Sequence, residues 1–338
     1  MRNTAIAAAA GLVLSLGAAS AQQITGAGAT FPAPVYQKWG EAARAAGLQL
    51  NYQAIGSGGG INQITNRTVD FGATDAPLNA ERLAQGNLVQ FPTVMGAIVL
   101  TVNVPGVPDK ELKLTSELVA AIYKGQLTRW NDPRLVELNR GITLPNIPIA
   151  PVYRADASGT TFQFTDYLSR VDEGWKSQVG SATSVRWPAG VGARGNDGVA
   201  GAVRNTRGAI GYVEYAYAKL NNLTTTQLRN RAGNFVQPTL EAFQAAAANA
   251  DWSSDPTFGI SLNDQPGAAS WPIVAPTFIL LPRNAQDPAR TMNVMRFFNW
   301  AYQNGDAIAD ELAYIPMPAS VKDAVRGMWT RELRWTGG

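Results

Sequence analysis

The sequence predicts an α/β fold with largely parallel sheets, and three observations carry that expectation. Short runs rich in Val, Ile and aromatic residues alternate along the chain with segments of helical period. Several of the helical segments are bracketed by their own start and stop residues. The chain is 338 residues long and 46% hydrophobic against 16% charged, so it can bury a sizeable core.

In order, the first helical segment is Pro32 to Ala46, with Val35, Tyr36, Trp39 and Ala43 on one face and Gly47 as a stop. Leu48 to Ile55 alternates apolar and polar residues, as a half-buried strand does. Val69 to Ala73 is a short second strand, and Phe91 to Val104 is a long apolar one. Thr115 to Lys124 carries Leu118, Val119, Ile122 and Tyr123 at helical spacing, with Gly125 behind it. The stretch from Asn131 to Asn146 reads as a surface excursion. Ile147 to Tyr153 and Ala209 to Tyr215 are further strands, and Thr161, Phe164, Leu168 and Val171 mark a helix between them. Trp271 to Leu281 is a strand weakened by Pro272 and Pro276. Near the end of the chain, Asp287 caps a helix that opens with Pro288, places Val294, Phe297, Phe298 and Ala301 on one stripe, and stops at Gly305. Each apolar stripe is core packing. No repeat of fixed period occurs, and composition alone marks no domain boundary.

Composition removes whole classes of chemistry. The chain has no Cys and no His, which excludes thiol nucleophiles, disulfides, Ser-His-Asp triads and His-ligated metals. The net charge of +3 is spread along the sequence, so no nucleic-acid footprint is visible. The N-terminus has a positive Arg2, an apolar stretch from Ala5 to Leu16 and a small-residue cleavage site at Ala19-Ser20-Ala21. It reads as a cleavable signal peptide over residues 1–21, leaving Gln22 first and no cysteine for a lipid anchor.

Three loops share one design. ITGAGATFPAP (24–34) places Thr30 just ahead of a helix that opens with proline. Gly56-Ser57-Gly58-Gly59-Gly60 places a serine among glycines between a strand and the segment from Ile61 to Asn66. Arg154-Ala-Asp-Ala-Ser-Gly-Thr-Thr161 opens a helix with Ser158 and Thr160. Each offers free N–H groups at a helix start, where the dipole favours an anion, together with a hydroxyl donor. Taken singly, each is an ordinary helix cap or turn. The first matches neither a dinucleotide fingerprint, because Phe31 stands where the third glycine belongs, nor a P-loop, because no lysine follows. Together, and beside Arg154, which can grip an oxyanion with two parallel bonds, they point to an anion site. Asp156 is placed to orient Arg154. Asp75, in a loop with few other charges, is either a turn residue or an acceptor for an anion that carries a proton, as phosphate does and sulfate does not.

The motifs TGAGATFPAPVY, IGSGGG, DFGATDAPL, RADASGTTF, GNDG and GAIGYVEYAYA occur in this order and closely resemble the periplasmic phosphate-binding proteins of high-affinity phosphate ABC transporters. The resemblance runs from Ile24 to Trp335. It implies a two-lobed binding-protein fold of type II, each lobe a sheet flanked by helices, with a hinge of two crossing strands. Lobe one would be residues 22–103 and 270–338, and lobe two residues 104–269. The resemblance also implies one phosphate in the cleft. Thr30 would give N–H and hydroxyl, Phe31 its N–H, Ser57 N–H and hydroxyl, Arg154 two guanidinium bonds, Ser158 its hydroxyl, Gly159 its N–H, and Thr160 N–H and hydroxyl. Asp75 would accept the ligand's proton, and Asp156 would hold Arg154. No cofactor, metal or catalytic residue is implied. The partners it implies would be inorganic phosphate and a membrane permease, with no nucleic acid; the location would be the periplasm and the protein a monomer. The family often has serine where Gly58 stands and glycine where Ala157 stands. The readings weighed against this one are a binding protein for another tetrahedral oxyanion and a phosphatase using Ser57, Ser158 or Thr160.

Overall fold

The computed structural model describes residues 23–337, so the signal peptide expected over residues 1–21 lies outside the described residues. The sheet is built mainly from eight strands, β1 (Ile24–Gly28), β2 (Leu50–Ala54), β3 (Phe71–Thr74), β4 (Leu88–Val102), β5 (Ala150–Arg154), β6 (Val191–Ala193), β7 (Ala209–Glu214) and β8 (Val274–Pro282). Their order across the sheet is β2-β1-β3-β8-β4-β7-β5-β6. The expected parallel pairing holds in both wings, where β1 lies parallel to β2 and β3, and β5 to β6 and β7. The centre differs: β8 runs antiparallel to β3 and β4, and β4 antiparallel to β7.

β4 joins the wings. All 15 of its residues are buried, which explains why it reads as an unbroken apolar run rather than an alternation. It begins at Leu88, ahead of the expected Phe91. Leu88 to Ala97 pairs with β8 and Ile98 to Val102 with β7, so its main partner changes between Ala97 and Ile98. β8 tolerates Pro276 because the register shifts between Thr277 and Phe278, and a proline beside such an irregularity costs little pairing.

Helices cover both faces. α1 (Ala33–Ala43) buries the expected Val35, Tyr36, Trp39 and Ala43. Its partner is the long helix Pro288–Asn304, whose Phe298 meets Tyr36, Phe71 and Phe91 edge-on. Asp287 caps that helix as expected, accepting from the N–H groups of Ala289 and Arg290. The excursion between Asn131 and Asn146 holds a helix that the sequence reading missed, Pro133–Leu138, capped by Asp132 and anchored by the buried Leu135. With one buried residue it has no stripe to recognise.

α2 (Ser57–Thr65) starts four residues before the expected Ile61, so three glycines sit in its first turns. Gly60 shows why. A Cβ there would lie 2.5 Å from Ala27 O and from Gly28 Cα and 2.8 Å from Ala73 O, so the helix rests directly on the backbones of β1 and β3. Gly60→Ala is therefore expected to lift α2 and to lower the unfolding free energy by about 1–3 kcal/mol, the usual cost of overpacking. Urea unfolding followed by tryptophan fluorescence measures it; an unchanged midpoint would mean that α2 has slack.

Candidate anion-binding site

The three hydroxyl-bearing loops converge. At the first, α1 has no side-chain cap, and Pro32 occupies the cap position, so the buried Thr30 hydroxyl is not spent on its own helix. It accepts instead from Asn196, through the backbone N–H at 3.2 Å and Nδ2 at 2.7 Å. At the second, Ser57 is the first residue of α2, and its Oγ accepts from the N–H groups of Asp75 at 3.3 Å and Gly159 at 3.0 Å. At the third, Ser158 caps α3 (Gly159–Val171), with Oγ accepting from the Thr161 N–H at 3.0 Å. Thr160 Oγ1 accepts from Asn196 Nδ2 at 3.1 Å and from Arg154 Nη1 at 3.4 Å. All four hydroxyl oxygens thus accept from N–H groups. Each keeps its own hydrogen to donate, and the accepted bonds strengthen it as a donor.

Arg154 ends β5 with its side chain 1% exposed. Nε and Nη2 hold the Asp156 carboxylate at 2.7 and 2.5 Å, as the sequence reading placed that residue. Of the five guanidinium hydrogens, these bonds and the one to Thr160 use three, leaving one on each terminal nitrogen. Burial pushes the Asp156 carboxyl up, but Arg154 and the Gly195 N–H at 3.1 Å outweigh it and hold it below the ordinary range.

Asp75 has the opposite environment. Burial raises its pKa to about 7, against the pull of the Thr277 hydroxyl and the more distant Arg154 charge. Oδ1 accepts from Thr277 Oγ1 at 2.8 Å, while the buried Oδ2 has no hydrogen-bond partner. The Asp75 carbonyl takes Gln163 Nε2 at 2.6 Å.

Phe31 lies in the same turn as Thr30, with a buried ring; Phe31, Gly159 and Thr160 all come at helix starts, where N–H groups have no intrahelical acceptor. The Gly159 N–H is the exception here, being held by Ser57 Oγ. The structure therefore brings Thr30, Phe31, Ser57, Asp75, Arg154, Ser158, Gly159 and Thr160 to one buried place, with Asp156 behind Arg154.

Sequence reading missed the residue that ties the cluster together. Asn196 belongs to α4 (Gly195–Asn205), a fourth helix start at the same place, and its Oδ1 accepts from the Glu214 N–H at 2.9 Å. The GNDG motif gave the signal, a glycine and an amide at the head of a helical segment. Thr277 and Gln163 had no signal at all. Among the described residues, no group of three or more His, Cys, Asp or Glu is placed to hold a metal, and no helix is long and apolar enough to cross a membrane.

Comparison with known proteins fits this geometry. The PBP superfamily domain matches residues 15–304. The phosphate-binding protein PstS of Haemophilus influenzae is 49% identical over 326 residues, 95% of this chain and 98% of that protein. PstS of Pasteurella multocida is 48% identical over 319 residues, 94% and 93% of the two chains. In fold, the chain matches a high-affinity periplasmic phosphate-binding protein, PfluDING, solved with phosphate, at a TM-score of 0.72 and 23% identity over 90% of this chain and 93% of that one. A putative phosphate ABC transporter substrate-binding protein from Clostridium perfringens, solved with phosphate, matches at a TM-score of 0.63 and 18% identity, covering 88% and 100%. A superfamily model spanning most of the chain and near-full-length relatives at almost half identity place it: the chain belongs to the PstS family of phosphate-binding proteins within the PBP superfamily.

Proposed function

We propose that this chain binds one inorganic phosphate, as HPO₄²⁻ or H₂PO₄⁻, in the buried site and delivers it to the membrane permease of a phosphate ABC transporter. The donors would be Thr30, Phe31, Ser57, Arg154, Ser158, Gly159 and Thr160, and Asp75 would take the ligand's proton. In the loaded state the Gly159 N–H turns from Ser57 Oγ to the anion. Residues 22–103 and 270–338 would form one lobe and 104–269 the other. The protein would act as a monomer in the periplasm after losing residues 1–21.

One observation carries the choice of anion: the buried Asp75 Oδ2 has no partner amid a set of donors. Above about pH 7, where its carboxyl is ionised, Asp75 can only accept. A protonated oxyanion supplies the missing hydrogen, whereas sulfate would bring a like-charged oxygen. A site built around a required ligand hydrogen rejects the analogue lacking it by roughly 10⁴–10⁵-fold. A phosphatase reading finds no support in the hydroxyls. A nucleophile needs a base to take its proton, and the bonds at Ser57, Ser158 and Thr160 all come from N–H donors.

Uptake needs an opening, so the contacts between the two wings matter. Gly58 donates its N–H to Ala157 O at 2.9 Å, and a Cβ on Gly58 would lie 2.4 Å from Ala157 Cβ. The family pattern often carries serine at the first of these positions and glycine at the second, so in this chain the bulk would stand on the other side of the contact.

Asp75→Asn tests the discriminator. The amide donates as well as accepts, so phosphate binding is expected to weaken by no more than about 1.5–3 kcal/mol, one hydrogen bond to a charged group, while sulfate affinity rises. Calorimetry with both anions at matched ionic strength reads this; a variant that excludes sulfate as strongly as the parent would move discrimination to cleft size. Gly58→Ser tests closure. It should prop the wings apart and weaken phosphate binding by roughly tenfold or more, the scale of an overpacked contact. Adding Ala157→Gly should restore most of the loss. A double variant no better than the single one would show that this pair does not set the closed distance.

A further inference from the structure

Three successive carbonyls in the turn before α1 each receive a tyrosine hydroxyl. Tyr52 OH donates to Ala29 O at 2.6 Å, Tyr217 OH to Thr30 O at 2.5 Å, and Tyr314 OH to Phe31 O at 2.6 Å. Thr30 O also takes the Ala33 N–H at 3.1 Å. The tyrosines come from three separate elements: Tyr52 from β2, Tyr217 from the short helix Tyr215–Leu220 after β7, and Tyr314 from the stretch just before Ile315–Pro316. None was singled out by the sequence. Burial, above all, keeps all three phenols protonated and so able to donate.

In a trans peptide the C=O and the following N–H point opposite ways. A hydroxyl fixed on Ala29 O therefore aims the Thr30 N–H away from it, and one on Thr30 O aims the Phe31 N–H. Those are the two backbone donors assigned to phosphate from this turn. A hydrogen bond at the carbonyl end also polarises the peptide and strengthens its N–H as a donor. The third carbonyl differs, because Pro32 follows Phe31 and has no N–H. Tyr314 OH also lies 2.8 Å from Glu214 Oε2, so it anchors the turn without arming a donor.

We propose that Tyr52 and Tyr217 are positioning residues for phosphate, which orient and strengthen the Thr30 and Phe31 N–H donors from behind. This rests on the phosphate reading above. The two act at different times. Tyr52 lies on β2, paired directly to β1, and holds the Thr30 peptide throughout. Tyr217 follows β7, in the other wing, so its bond to Thr30 O forms as the wings meet. Closure thus strengthens the Phe31 donor at the moment the anion is enclosed.

The test uses the parent protein, Tyr217→Phe, Tyr52→Phe and Tyr314→Phe, each titrated with phosphate by calorimetry and stopped flow, with amide proton shifts recorded for Thr30 and Phe31 in the loaded state. Tyr217→Phe is expected to raise the phosphate off-rate by roughly 5- to 30-fold with little change in on-rate, the scale of one buried hydrogen bond, and to move the Phe31 amide proton upfield. Tyr52→Phe should move the Thr30 amide instead. Tyr314→Phe should move neither selectively, which separates arming of a donor from general loosening of the turn. Variants that lower the melting temperature yet bind within twofold of the parent, or whose Thr30 and Phe31 shifts stay unchanged, overturn the proposal. A parent protein that takes up no phosphate overturns the functional reading, and this inference with it.

Discussion

Arg154 is a cation almost wholly removed from water, and the rest of the cleft follows from what it takes to keep it there. Burying a guanidinium costs several kcal/mol unless its charge is balanced and its hydrogens are placed. Asp156 supplies the balance in a fork-to-fork pair, and the Gly195 N–H stabilises Asp156 in turn. The Tyr212 hydroxyl holds the Arg154 backbone N–H at 3.0 Å and also meets Thr161 Oγ1 at 2.6 Å, which locks the end of β5 to the start of α3. A neutralised arginine with two hydrogens to spare is a fixed donor rather than a free charge. It can hold an anion without also attracting every anion in reach, because its long-range field is largely cancelled by its partner.

The same logic explains the hydroxyls. Each is turned by an N–H so that its oxygen is occupied and its hydrogen points elsewhere. Those of Ser158 and Thr160 are set within a single wing, so less ordering remains to be done there on binding. Asp75 is the counterweight. Its unpartnered oxygen is costly in a buried place, and such a cost is stable only where the surroundings fix it, as Thr277 and Gln163 do here.

How much of this could be read from the sequence depends on distance along the chain. The glycine-hydroxyl segments, Arg154 with Asp156, and the helix capped by Asp287 are local patterns, legible in a few consecutive residues. Helix α2 was placed too late because glycine lowers helix propensity, while the contact that demands glycine at position 60 is with strands remote in sequence. The parallel wings followed from alternation, but nothing local says that β4 and β8 run against them. Asn196 reaches Thr30 across 166 residues, Tyr217 across 187, and Thr277 reaches Asp75 across 202. Partners that far apart leave no periodicity to find. Family resemblance supplied the proposed ligand set and lobes; the residues behind that set are joined to it only by the fold.

That last separation has a consequence for how the protein comes into being. The Asp75 carboxylate is aimed by a residue of β8, a strand built from the final quarter of the chain, and β3 and β4 have no neighbour between them until β8 arrives. Pairings of this span are slow to form, since a large loop must close before any contact repays it. The wing containing β5, β6 and β7 is a continuous stretch of chain and can organise early. The group assigned to distinguish one anion from another is thus completed late in assembly, after Arg154 and the α3 donors have their local structure. A chain that stalls before β8 would carry an anion cradle on one side and no means of selecting what enters it.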